Sequence, residues 1–124
     1  MQTSALTWFE IPVDNLNRAS SFYEMVLNQE LKRETMQGYE LAVFEHERQS
    51  GTGGCLVKHE ELKPTDNGSI VYLNAGKDLE AALTRVWDAG GRVALPKTAL
   101  PGDMGYYAHI IDSEGNRVGL HAHG

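Results

Sequence analysis

The stretch Gly105-Tyr-Tyr-Ala-His-Ile-Ile-Asp-Ser-Glu-Gly-Asn-Arg-Val-Gly-Leu-His121 predicts a β-hairpin, because two β-rich runs flank a short polar turn. Ser113 and Glu114 suit the centre of a type I turn. Gly115 follows at the point where the chain needs a positive φ, which glycine adopts at no steric cost. These residues together predict a three-residue hairpin loop with a bulge at the glycine.

The loop length decides which side chains of the hairpin share a face. With three loop residues, the predicted pairs are Ile111 with Arg117, His109 with Gly119, and Tyr107 with His121. Paired residues lie on the same face of a sheet, so Tyr107, His109 and His121 are expected to surround the bare Gly119. A loop of four residues would shift the register and separate them.

Composition restricts the class of protein. The chain has 124 residues, of which 41% are hydrophobic and 23% charged, as expected for one globular domain. The net charge of −6 argues against nucleic acid and anionic membranes as partners. The single cysteine, Cys55, excludes an internal disulfide and is predicted to be an inert buried thiol. Because residues 1–5 also lack the features of a signal peptide, we expect a cytoplasmic protein.

The chain divides into two similar halves, residues 6–59 and 69–121, which we expect to form one domain over residues 1–124. Each half is predicted to contain a strand, an amphipathic helix and three further strands. The first half has strands at 6–13, 30–36, 39–46 and 55–59, with a helix that starts after Asp14 or Asn15 and ends near Asn28. The second has strands at 69–75 and 92–95, a helix from Asp78 to Gly90, and the hairpin. A repeat of about 50 residues indicates two units that bury their apolar faces together.

Three motifs carry a resemblance to a known family: Ile11 to Tyr23, Asp78 to Leu83 with Ala89-Gly-Gly91, and Asp112 to Leu120. In this order they resemble the vicinal oxygen chelate superfamily, which includes glyoxalase I, bleomycin-resistance proteins, fosfomycin-resistance enzymes and extradiol dioxygenases. The resemblance implies an α+β fold of two βαβββ modules, whose mixed sheets curl around a cleft. It also implies a homodimer.

Enzymes of that superfamily usually hold a divalent metal through His and Glu side chains on the strands. The matching positions in this sequence are Trp8, Ser69 and Gly119. A fourth acid sometimes lies on the last strand of the first half, but residues 55–59 contain none. Indole and glycine offer no ligand atom, and serine is a poor ligand for such a metal. We therefore expect no metal and no other cofactor.

Alternation along the strands predicts what else lines the cleft. Glu10 and Pro12 are expected to point with Trp8, and Val71 and Leu73 with Ser69. Gly119 is expected to leave room where the superfamily places an acid. The predicted substrate-binding residues are Trp8, Ser69, Tyr107, His109, Gly119 and His121. Glu10 and His109 are the candidates for proton transfer.

Three hypotheses for function remain open from the sequence. The first is a small-molecule binding protein that needs no metal. The second is a lyase or isomerase that uses Glu10, if it is buried, and His109 as proton-transfer groups. The third is a metalloenzyme with a rewired site made of His109, His121 and Glu10. Histidines and acids on strands also occur often as ordinary hydrogen-bonded or surface residues.

Overall fold

The computed structural model describes residues 5–45 and 51–124, which form two modules of the same element order. The first module contains β1 (Trp8–Pro12), α1 (Leu16–Leu27), β2 (Lys32–Met36), β3 (Tyr39–Val43) and β4 (Gly53–Val57). The second contains β5 (Tyr72–Asn74), α2 (Leu79–Ala89), β6 (Arg92–Ala99), β7 (Tyr106–Ile111) and β8 (Arg117–Ala122). The prediction of two βαβββ modules is confirmed.

Each module has one four-stranded mixed sheet. The strand orders are β1-β4-β3-β2 and β5-β8-β7-β6, with β1 parallel to β4 and β5 parallel to β8. The protein is therefore α+β, and within the described ranges the sheets do not close into a barrel. No helix among these residues is long and apolar enough to cross a membrane.

Local sequence explains where the helices begin and end. The side chain of Asn15 accepts a hydrogen bond from the backbone N–H of Arg18 and starts α1. Asp78 starts α2 in the same way through Ala81. At the far end of α2, Gly90 has a φ of 109°, which glycine adopts without strain. The apolar stripes of both helices are buried, as predicted from their spacing, except for Trp87 of α2. Trp87 was expected on the buried side and is 69% exposed.

The two modules share one hydrophobic core. It combines side chains from both helices and both sheets, including Ile11, Phe22, Tyr23, Leu56, Leu73, Val86, Ile110 and Leu120. Gly91 lies between strand β7 of the second module and Phe22 of the first. A Cβ atom at this position would lie 2.5 Å from the carbonyl oxygen of Ile111 and 2.6 Å from the ring of Phe22.

The hairpin turn between β7 and β8 joins the second module to the start of α1. The carboxylate of Glu114 accepts hydrogen bonds from the backbone N–H groups of Asp14 (3.0 Å) and Asn15 (2.8 Å). Its other donors are the Arg18 guanidinium, whose Nε lies 2.6 Å away, and the Ser113 hydroxyl. These donors hold the pKa of Glu114 at about 2, well below its ordinary value, although burial opposes the shift. A residue of the second module thus caps the first helix.

Asp112 anchors the same turn in the core. The hydroxyl of the fully buried Tyr23 donates to its Oδ2 at 2.5 Å, and the backbone N–H groups of Glu114 and Asn116 donate to its Oδ1. Asn116 in turn donates from Nδ2 to the carbonyl oxygen of Pro12. Burial raises the pKa of Asp112, and these donors oppose that rise. The hydrogen bonds of this turn therefore connect the second module to the first.

Several predicted boundaries were wrong. Ser69 lies before β5, which is only Tyr72–Asn74, so the predicted strand 69–75 is much shorter. The strand predicted at 92–95 is too short, because β6 continues to Ala99. The strand predicted at 55–59 is displaced by two residues, because β4 is Gly53–Val57. His46 and residues 47–50 lie outside the described residues.

Candidate functional site

The register of the β7–β8 hairpin is the one predicted. Tyr107 pairs with His121, His109 with Gly119 and Ile111 with Arg117, and Gly115 has a φ of 94°. The alternate residues of these strands, Ala108, Ile110, Val118 and Leu120, are buried in the core. Tyr107, His109, Gly119 and His121 therefore share the face of the sheet that points away from the core.

Tyr72 fills the space above Gly119 that was expected to be open. Tyr72 pairs with Gly119 across the parallel strands β5 and β8. A Cβ atom on Gly119 would lie 2.3 Å from the ring of Tyr72. Val71 and Leu73 were predicted to face this site with Ser69. That was wrong for both, because the outward positions of β5 are Tyr72 and Asn74: Leu73 lies in the core and Val71 packs against it.

A chain of hydrogen bonds links Arg117, His109 and Tyr72. The Nε of Arg117 donates to Nδ1 of His109 at 3.0 Å, and Nε2 of His109 lies 2.7 Å from the hydroxyl of Tyr72. Since Nδ1 accepts, the proton of the neutral ring is on Nε2 and is donated to the Tyr72 oxygen. Burial, with the nearby charge of Arg117, lowers the pKa of His109 and favours this neutral form. The hydroxyl proton of Tyr72 is then available to another acceptor.

Aromatic rings surround this chain. The centroid of Tyr107 lies 6.1 Å from that of Tyr72 and 5.9 Å from that of His109, with the rings edge to face in both pairs. Tyr72 is 49% exposed, so the surface is open to solvent. We call Tyr72, Tyr107, His109 and Arg117 the tyrosine–histidine surface. It offers flat apolar area together with oriented hydrogen-bond donors.

His121 lies at the margin of this surface and has another partner. Its Nε2 donates to the backbone oxygen of Met104 at 2.6 Å, and its ring packs edge to face on His123 at 5.5 Å. This bond ties the segment before β7 to β8. In this structure His121 contacts Tyr107 only as its cross-strand neighbour.

The remaining predicted residues lie apart from the tyrosine–histidine surface. Trp8 and Glu10 are on β1 in the sheet of the first module, and both are exposed. Glu10 is therefore not the buried acid considered above, and among the described residues it makes no hydrogen bond or ion pair with His109. Glu10 pairs with Cys55, whose thiol is fully buried. Burial, and then the charge of Glu10, raises the pKa of Cys55 to about 11, so the thiol stays protonated.

The residues at the implied metal positions do not fit a divalent cation. Gly119 has no donor atom and is covered by the ring of Tyr72. Trp8 offers no ligand atom, and Ser69 is exposed outside the strands. Across residues 5–45 and 51–124, no three His, Cys, Asp or Glu side chains come together in a way that could hold a metal ion.

A cavity of about 370 Å³ lies where the modules meet, and Tyr72 is part of its wall. Its apolar lining consists of Phe9, Leu27, Phe44, Tyr72 and Leu73. Its polar lining includes Gln29, Glu45, Thr52 and Asn74. An apolar cavity with a few polar groups is typical of a site for a small organic ligand.

A family model described as the Glyoxalase/Bleomycin resistance protein/Dioxygenase superfamily matches residues 5–120. The chain belongs to this superfamily. The match covers both modules and includes the three motifs near Ile11, Asp78 and Asp112. The resemblance predicted from those motifs is therefore confirmed. A comparison with curated protein sequences gave no match.

Several solved structures share this fold. A V278E mutant of glyoxalase I from Zea mays has a TM-score of 0.70 at 21% identity, over 94% of this chain and 45% of that one. The chain thus spans less than half of maize glyoxalase I. A glyoxalase/bleomycin resistance protein from Albidiferax ferrireducens T118 has a TM-score of 0.69 at 16% identity, over 94% and 97% of the two chains. Hypothetical protein SA1046 from S. aureus has a TM-score of 0.64 at 20% identity, over 98% and 95%. At these identities the likeness concerns the fold alone.

Proposed function

We propose that this member of the superfamily binds a small organic molecule without a metal, at the tyrosine–histidine surface and the adjoining cavity. The observation that carries the proposal is the chain from Arg117 through His109 to Tyr72. It fixes the histidine tautomer and leaves the Tyr72 hydroxyl free to donate. Such a donor beside aromatic rings can orient a ligand that has a ring and an oxygen atom.

The proposal includes a homodimer. Trp8 and Tyr72 are large side chains on the open faces of the two sheets, and they are 41% and 49% exposed. Apolar side chains exposed in this way favour an interface. Sedimentation equilibrium measures the association state, and a monomer at all concentrations would contradict this part of the proposal.

The single buried Cys55 also agrees with a cytoplasmic location.

Replacing Gly119 with alanine tests the binding site. The new Cβ would displace the Tyr72 ring, which lies 2.3 Å from its position, and would break the bond to His109. We expect the affinity for a ligand found by thermal-shift screening of aromatic compounds to fall about tenfold. The screen uses chelator-treated protein, and titration calorimetry measures the affinity.

Gly102→Ala is the control, because it lies in open space away from the surface. Its affinity should equal that of the unchanged protein. Equal affinity in Gly119→Ala would show that the ligand does not use Tyr72. If no compound shifts the melting temperature of the unchanged protein, the proposed function is wrong.

A second candidate is a lyase or isomerase, which the hydrogen-bonded pair of His109 and Tyr72 favours because both side chains can move protons. Glu10 would join them only in a dimer that brings the first sheet of one protomer against the second sheet of its partner. If the protein turns over a substrate in this way, His109→Ala should lower kcat about 100-fold. Steady-state kinetics checks this, and an unchanged kcat would exclude proton transfer by His109.

A further inference from the structure

Arg117 has unused hydrogen-bonding capacity at the tyrosine–histidine surface. It lies on β8 two residues before Gly119, on the same face of the sheet, and it is half-buried. Its Nε donates to His109. Among the described residues, its two terminal nitrogen atoms have no hydrogen-bond or carboxylate partner.

Two other arginines of the described chain have fuller sets of partners. Arg85, which is also half-buried, donates from Nε and Nη2 to the carbonyl oxygens of Met25 and Val26. Arg18 is paired with the carboxylate of Glu114. A half-buried guanidinium is normally satisfied in one of these ways, because it loses part of its hydration. The terminal nitrogens of Arg117 are not among the buried polar atoms of the described chain that lack a partner, so they reach solvent and are available to an acceptor from outside it.

The chemistry of the neighbours defines that partner. His109 is held neutral, so it does not supply a negative charge to Arg117. The Tyr72 hydroxyl can donate a second hydrogen bond to an oxygen atom, and the rings of Tyr72 and Tyr107 offer apolar area. The protein as a whole has a charge of −6, which repels anions, so an anion would be attracted only by a local cation.

We propose that the ligand of this surface is an organic anion with an aromatic ring and a carboxylate. The carboxylate accepts from the terminal nitrogens of Arg117, because a guanidinium binds a carboxylate through two parallel hydrogen bonds. The Tyr72 hydroxyl donates to the same group, and the ring packs against Tyr107. This inference rests on the proposed function and narrows its ligand class. Inorganic phosphate offers the same oxyanion without the ring.

The test compares benzoate, benzamide, acetate and inorganic phosphate as probes on chelator-treated protein. Titration calorimetry, or chemical-shift changes in ¹H–¹⁵N spectra, measures each dissociation constant near neutral pH. Benzoate is expected to bind most tightly, and Arg117→Gln should weaken it about tenfold or more. Benzamide has the same shape without the charge, so it should bind weakly and lose little in the variant.

Arg92→Gln is the matched control. Arg92 is an exposed arginine on β6 of the same sheet, where it pairs with Ile111, the cross-strand neighbour of Arg117. Removing its charge tests the general attraction of the sheet for anions, and benzoate should keep its affinity. Arg117→Lys keeps the charge but not the forked donors, so it should bind benzoate with intermediate affinity. It also replaces Arg117→Gln if circular dichroism shows that the latter is unfolded.

The outcomes separate this inference from the proposed function. If benzamide binds as well as benzoate and Arg117→Gln changes neither, the inference is wrong and the proposed function stands. If acetate or phosphate binds as tightly as benzoate, the aromatic part of the inference is wrong. If Arg92→Gln and Arg117→Gln weaken benzoate binding equally, the anion is attracted by the positive charges of the sheet in general, and the inference of a carboxylate bound at Arg117 is wrong. If the screen of aromatic compounds finds no ligand, both proposals fail.

Discussion

Replacing Gly91 with alanine should lower the free energy of unfolding by about 3 kcal/mol, because the new methyl group has no space. Its carbon would lie 2.5 Å from the carbonyl oxygen of Ile111 and 2.6 Å from the ring of Phe22. The backbone oxygen belongs to β7 and the ring is fully buried, so neither can move without separating the modules. Urea unfolding measures the loss, and the melting temperature should fall by about 10 °C.

Gly102→Ala provides the comparison for this prediction as well. Gly102 has a φ of +65° and nothing within 4 Å of a Cβ, so its replacement costs only the strain of the left-handed conformation. That cost is about 1 kcal/mol. A loss for Gly91→Ala no greater than this would mean that α2 and the hairpin can separate slightly without penalty.

Replacing Glu114 with glutamine should cost about 2 kcal/mol at neutral pH. The side chain of Glu114 is fully buried, and all its partners are donors: two backbone N–H groups, the Arg18 guanidinium and the Ser113 hydroxyl. Glutamine would place its own N–H₂ group against some of them and would remove the charge at the start of α1. Chemical denaturation of both proteins checks the value, with Glu60→Gln as an exposed control.

The effect of Glu114→Gln should depend on pH. The pKa of Glu114 is about 2 in the folded protein, below its ordinary value of 4.5. The unfolded chain therefore takes up the proton first, and the stabilisation is lost as the pH falls from about 4.5 towards 2. The difference in melting temperature between the two proteins should be smaller at about pH 3 than at neutral pH. Asp112 titrates in both proteins, so its contribution largely cancels in the difference. A constant difference would show that the ionised Glu114 is not the stabilising form.

The fold could be predicted because its decisive signals are local. The turn Ser113-Glu114-Gly115 sets the hairpin register, and the capping residues Asn15 and Asp78 mark the helix starts. The site was predicted only in part. Tyr107, His109 and Gly119 follow from the register, but Tyr72 was missed because the strand was expected to start at Ser69 with its alternation fixed from there.

The contacts between the modules could not be predicted from sequence. Glu114 looked like an ordinary turn residue, yet its partners Asp14 and Arg18 are about one hundred positions away. No local sequence pattern indicates a contact between residues that are so far apart in the chain. The same limit applies to Arg117, whose lack of a terminal partner became visible only when its neighbours were known.

The cap that Glu114 supplies to α1 has a consequence for synthesis of the chain. Helix α1 has no acidic side chain in its own first turn, whereas α2 has Glu80. In a chain of several folding units, the N-terminal unit generally folds first while the chain is being made. Here the first helix receives its carboxylate only when Glu114, about one hundred residues further along the chain, has left the ribosome. The first module therefore stays incompletely stabilised until the β7–β8 hairpin of the second module has been translated.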